Sequence, residues 1–143
     1  RSATFLATYF SPCARLNTCA VPVFPPLVYS APAKARAPVW AYDFNWETPA
    51  FNGRLKSCHS VEVPFVFDTL HVLGEIHEKK GAQLLANRVS RTWATFARTG
   101  ACDWPAYDLR TRTTMQFDDE CGPLDDPDGE VRALWEKVAA GQY

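Results

Sequence analysis

From Val39 to Trp46 the chain alternates four large aromatic residues, Trp40, Tyr42, Phe44 and Trp46, with Val39, Ala41, Asp43 and Asn45. A period of two sends the two sets to opposite faces of an extended chain, so this stretch is predicted as a β-strand. Thr48-Pro49 and Asn52-Gly53 follow at once with turn chemistry, and the chain is expected to leave the sheet there and carry residues 54–60 in a loop. Val61 to Phe67 is a short apolar run broken by Pro64. A proline cannot donate to a sheet ladder, so the run is predicted as a packed segment that buries Phe65 and Phe67 rather than as a central strand.

Further along the period changes. After a polar connection over residues 71–81, Leu85, Val89, Trp93 and Phe96 recur at three- and four-residue intervals. That spacing predicts an amphipathic helix over 82–99, with Gly100 placed to end it. Trp104 to Asp108 reads as an ordered turn, and Thr111, Thr113, Met115 and Phe117 then alternate with polar residues. A second strand is predicted over 110–117, half exposed and near a sheet edge. Asp125-Asp126-Pro127 offers capping residues and a first-turn proline for a closing helix striped by Val131, Leu134, Trp135 and Val138.

The first 38 residues hold six of the eleven prolines and so exclude any long helix. Phe5, Tyr9 and Phe10 allow a short helix before Leu16, and irregular or extended backbone is expected over 17–38. Two strands with a helix between them and a helix to close describe one side of an α/β sheet. A two-stranded sheet is marginal in water, so the domain is expected to be incomplete by itself.

Composition narrows the partners. At 143 residues, 47% hydrophobic and 22% charged, the chain fits one globular domain. A net charge of −1 supplies no basic face for nucleic acid or an anionic membrane. No apolar run approaches the roughly 18 to 20 residues of a membrane span. Position 1 is arginine and Met115 is the only methionine, so the chain is expected to be the later part of a longer or processed protein, and its compartment is left open. Five cysteines without paired spacing do not suggest a metal site, and no cofactor is expected. Cys102 and Cys121 either close a disulfide loop or, more simply, are free buried thiols.

Among titratable groups His59 stands out, because a loop at the end of a strand is where a scaffold presents a general base. A lone histidine is nevertheless more often a surface or hydrogen-bonded residue. His71 and His77 lie among Glu75, Glu78, Lys79 and Lys80 and read as solvated. Cys58 adjoins His59, but neighbours on a loop rarely aim at each other. None of Ser2, Ser11, Ser30, Ser57, Ser60 and Ser90 lies in a Gly-x-Ser-x-Gly elbow. The residues offer a base without a nucleophile.

The run P-A-F-N-G-R-L-K-S-C-H-S-V-E-V-P-F-V-F-D, residues 49–68, resembles the catalytic-histidine segment of the type B carboxylesterases, the family of para-nitrobenzyl esterases and cholinesterases. The likeness continues in order through Gln83-Leu84, Trp93, Phe96 to Gly100, Trp104 to Tyr107, Thr114 to Asp118, Asp126-Pro127 and Arg132 to Trp135. It covers about two thirds of the chain, residues 39–143, and leaves 1–38 as a proline-rich, irregular or divergent lead-in, a break that either divergence or an upstream reading-frame error would produce; several motifs in order are more specific than any one. The resemblance implies the last strands and helices of an α/β-hydrolase fold, with a triad in the order serine, acidic residue, histidine. His59 matches the family's histidine, which takes the serine proton during attack on an ester and returns it to the leaving alcohol. It further implies a small-molecule ester as substrate and an upstream part of the same domain as partner, carrying the serine, the acid and the oxyanion loop. A non-catalytic relative that binds proteins on the same fold, or an inactive fragment, is the alternative. Lys56-Ser57 stands where family members usually have Gly-Ala, and a backbone conformation favoured by glycine is expected to be lost there.

Overall fold

In a computed structural model describing residues 4–7, 38–74 and 78–141, four strands form one sheet in the order β1-β2-β3-β4. β1 (Thr4–Ala7), β2 (Val39–Phe44) and β3 (Thr114–Phe117) run parallel, with Phe5 opposite Trp40 and Tyr42 opposite Met115. β4 (Gly122–Leu124) turns back antiparallel and sets Pro123 against Met115. The helices with described bounds are α1 (Val63–Val66), α2 (Ala82–Thr99) and α3 (Gly129–Ala139), with a 3-10 turn at Leu70–Val72.

β2 forms where the alternation places it and ends at Phe44 rather than Trp46, although the Asn45 N–H still donates to the Phe117 carbonyl at 2.9 Å. Its aromatic face is covered by the helices. Tyr42 meets Trp93 at 4.8 Å between ring centroids, Trp40 meets Phe96 at 5.9 Å, and Phe44 meets Phe65 at 5.0 Å, all edge to face. Buried aromatics of this kind contribute most of a small core's apolar burial. Trp40 Nε1 donates to the Trp104 carbonyl at 3.0 Å and Trp104 Nε1 to the Ala41 carbonyl at 3.2 Å, so the predicted turn at Trp104 is stitched along the strand. The opposite face is polar yet buried: Asp43, Thr114 and Gln116 lie there, and Asn45 donates from its amide to Gln116 Oε1.

The second strand differs from its prediction. Asp108 Oδ1 accepts the backbone N–H groups of Arg110 (2.7 Å) and Thr111 (2.8 Å), which folds those residues into a turn and delays the strand to Thr114. Flanked by β2 and β4, β3 is buried along its length and is not an edge. β1 occupies residues where a short helix was expected; the rest of that expectation, and the irregular backbone expected over 17–37, lies outside the described residues. Among the described residues the sheet therefore has four strands where two were predicted.

α2 matches its predicted span, with Leu85, Ala86 and Val89 buried. Gly100 sits at φ 70° and donates its N–H to the Phe96 carbonyl at 2.7 Å, the left-handed cap that glycine adopts without steric cost. α1 carries Pro64 in its first turn, where a missing donor costs nothing. Phe65 is fully buried, but Phe67 is 71% exposed, against the prediction. Two residues apart on a helix are rotated by about 200°, so one of the pair had to face out.

α3 leaves Val131, Leu134 and Val138 exposed, and Asp128 takes the N-cap position. Asp126 instead holds Arg132 through two bonds, Nε to Oδ1 at 3.1 Å and Nη2 to Oδ2 at 2.7 Å. A Cβ on Gly129 would lie 2.8 Å from Asp126 Oδ2, so a larger residue there would have to displace the carboxylate that holds Arg132. The hydrogen bonds from Arg132 hold the Asp126 carboxyl below the usual carboxylate range, whereas burial, with the Asp126 charge added, pushes Asp128 up. A depressed carboxyl stabilises the fold above its unfolded pKa and ceases to as pH falls through its folded one. Asp126→Asn is accordingly expected to lower stability at pH 7 by about 1 kcal/mol, solvent screening included, and by progressively less as the medium is acidified below the ordinary carboxylate pKa. Asp128→Asn has the opposite sign, raising Tm at pH 7 with a gain that fades under acid. Thermal melts of the two variants across pH measure both.

No helix among the described residues is long and apolar enough to cross a membrane.

Candidate active site

The three parallel strands end their carboxyl termini on one side of the sheet, the side where open α/β sheets bind ligands. The chain leaves β2 there through Asn45, the fully buried Trp46 and Glu47. Trp46 is pinned by Phe65 at 4.9 Å and by the Lys79 ammonium 4.1 Å above its ring. Lys79 Nζ also donates to the Glu47 carbonyl at 2.7 Å.

The loop then turns tightly through Phe51, Asn52 and Gly53, all with positive φ, and returns to the strand end. The Thr48 N–H donates to the Lys56 carbonyl at 3.3 Å, and the buried Ser57 hydroxyl donates to the Trp46 carbonyl at 2.9 Å. Lys56 Nζ reaches Glu47 Oε2 at 2.7 Å, but both side chains are more than half exposed, so this pair contributes little. Lys56 keeps φ 52°, so the left-handed backbone expected to be lost with glycine is present on a lysine. Such a residue costs on the order of 1 kcal/mol and persists only where its surroundings hold it.

His59 follows two residues after this closure and is exposed. Downstream, the Val61 N–H donates to the Cys58 carbonyl at 3.2 Å, and α1 seats Phe65 in the core. His59 is thus carried on a short span anchored at both ends. Cys58 packs against the hydrophobic core while His59 faces out, so the two neighbours diverge. Glu62, three residues on, is buried at 5% exposure. His71 is exposed on the 3-10 turn, and His77 lies outside the described residues. Cys102 and Cys121 are free thiols, not a disulfide; burial, with the Asp103 charge added, pushes Cys102 up to about 12. Reasoning on the residues missed Ser57 and Lys79, because their bonds go to backbone carbonyls that no side-chain pattern reports.

A mostly parallel sheet packed against helices, with the carboxyl ends of its parallel strands on one side, is an α/β architecture. A sequence model described as the carboxylesterase family matches residues 16–141, and the chain belongs to that family. It is 35% identical over 118 residues to the para-nitrobenzyl esterase of Bacillus subtilis (strain 168), covering 76% of this chain and 24% of that protein. It is 37% identical over 98 residues to human carboxylesterase 5A, covering 59% of this chain and 17% of that protein. Among solved structures, a Geobacillus stearothermophilus carboxylesterase superposes with a TM-score of 0.63 at 33% identity over 76% of this chain and 24% of its own. A thermophilic PNB esterase superposes with a TM-score of 0.58 at 34% identity over 69% and 22%. The chain thus spans about a quarter or less of the length of these relatives. Its sheet and helices are part of an α/β-hydrolase fold.

Proposed function

We propose that the chain is the C-terminal segment of a serine carboxylesterase and that His59 is its general base and acid. The observation that carries this reading is the place of His59: exposed, on an anchored loop at the carboxyl end of β2, within the region that matches the family. An imidazole there can take the proton of a serine hydroxyl as it attacks an ester carbonyl and return it to the departing alkoxide. The serine, its acidic partner and the oxyanion donors come from the upstream part of the same domain. Residues 1–143 hold no Gly-x-Ser-x-Gly elbow, so the chain by itself is expected to be inactive. The substrate class is a small carboxylic ester, as the names of the relatives suggest.

A short-chain aryl ester assay tests the reading on the chain alone and on the polypeptide that includes its upstream part, called here the intact esterase. Turnover is expected only from the second. Hydrolysis by residues 1–143 that survives His59→Ala overturns the assignment. Loss of the elbow serine upstream would instead favour a non-catalytic binding relative.

A further inference from the structure

We propose that Ser57 is a positioning residue for His59, its hydroxyl clasping the loop to the end of β2 so that a strained Lys56 backbone delivers the imidazole at a fixed height. The inference rests on the reading of His59 as the general base. Its grounds lie in the loop itself. Among the contacts that close residues 49–57 onto the strand end are Thr48 N–H to the Lys56 carbonyl at 3.3 Å, Lys56 Nζ to Glu47 at 2.7 Å, and Ser57 Oγ to the Trp46 carbonyl at 2.9 Å. The first is long, and the second is an exposed ion pair that water and salt screen. Only the third is both short and buried, and Trp46, which accepts it, is fully buried and fixed by Phe65 and Lys79.

Lys56 at φ 52° would relax toward the right-handed or extended region if nothing held it. Such a change, three residues before His59, would swing the imidazole over the strand end. Proton transfer requires hydrogen-bond reach, and misplacement by about 1 Å can cost about a hundredfold in rate. Upstream of His59, then, the clasp resists a strain that a glycine at position 56 would not generate.

The test uses the intact esterase, with kcat expressed per site titrated by an aryl phosphonate, so that misfolded protein does not count. Ser57→Ala is expected to lower kcat about tenfold with KM changed less than about twofold, the signature of a displaced base rather than a lost binding contact. Ser57→Thr keeps the hydroxyl and is expected to retain kcat within about threefold. Adding Lys56→Gly to Ser57→Ala is expected to recover most of the loss, because glycine adopts the left-handed backbone unaided. A merely structural Ser57 would lower Tm and leave kcat per titrated site unchanged, and that result overturns the proposal. Should Ser57→Ala fail to fold, the Lys56→Gly/Ser57→Ala and Ser57→Thr proteins decide: kcat near wild type in both supports the clasp, and kcat still down tenfold in the folded double variant overturns it. His59→Ala is assayed in parallel. If it retains turnover, the reading of His59 fails and this inference falls with it; if it loses turnover while Ser57→Ala does not, only the inference fails.

Discussion

His59→Ala in the intact esterase is expected to lower kcat/KM for a short-chain aryl ester by at least about a thousandfold, since general acid–base catalysis alone contributes about 10² to 10⁴ and the serine is unactivated without its base. Two effects compete in that number. Truncation could act through the fold, or it could remove only the proton carrier. Exposure decides between them: His59 is outside the core, and substitutions at such positions usually fall within about 0.5 kcal/mol of stability. Tm is therefore expected to move by no more than about 1 to 2 °C while activity collapses. The residual rate reflects substrate binding and the oxyanion donors, which do not depend on the imidazole. His59→Gln should behave the same, because its amide hydrogen-bonds but does not carry the proton.

Phe65→Ala should produce the largest loss of stability, about 3 to 5 kcal/mol, from lost burial plus the cavity left behind. Phe65 is fully buried and meets both Phe44 (5.0 Å) and Trp46 (4.9 Å) edge to face. α1 is only four residues long, too short to be stable alone, so its attachment depends on this ring and on packing against α2. Removing the ring frees the downstream anchor of the His59 loop and loosens Trp46 at the upstream one. A shift of the urea midpoint at unchanged slope measures the loss, and Phe65→Leu is expected to cost less than half as much. An Ala variant as stable as wild type would show that α1 is held by something other than Phe65.

How far the sequence reported the fold depended on how local each cause was. The 82–99 helix was legible because its stripe of Leu85 and Val89 and its terminator, Gly100, lie within the element. β2 was legible for the same reason, though its alternation could not reveal that Asp43 is buried opposite the aromatic face, which depends on neighbouring strands. Asp108 captured the N–H groups of Arg110 and Thr111 and cut short a strand whose alternation looked longer. β4, three residues with a proline in the middle, carries no periodic signal; only its pairing with β3 makes it a strand. Phe65 and Phe67 looked equivalent as apolar residues and were separated by helix geometry.

The site was less legible. By residue type His59 was one of three histidines, and ordered motifs resembling a known family, not periodicity, singled it out. The family and the fold expected from that resemblance hold. What the residues could not report is how a lysine keeps the left-handed backbone at position 56, because the answer is a hydroxyl bonded to a carbonyl eleven residues earlier.

The most direct test of the central claim is the rate at which an aryl fluorophosphonate, which bonds covalently to an activated serine, labels the intact esterase, with the modified residue located by mass spectrometry. One labelled serine is expected, upstream of residues 1–143, and its labelling slows about a hundredfold or more in His59→Gln. Labelling at full speed in that variant, or on a serine within residues 1–143, would contradict the claim.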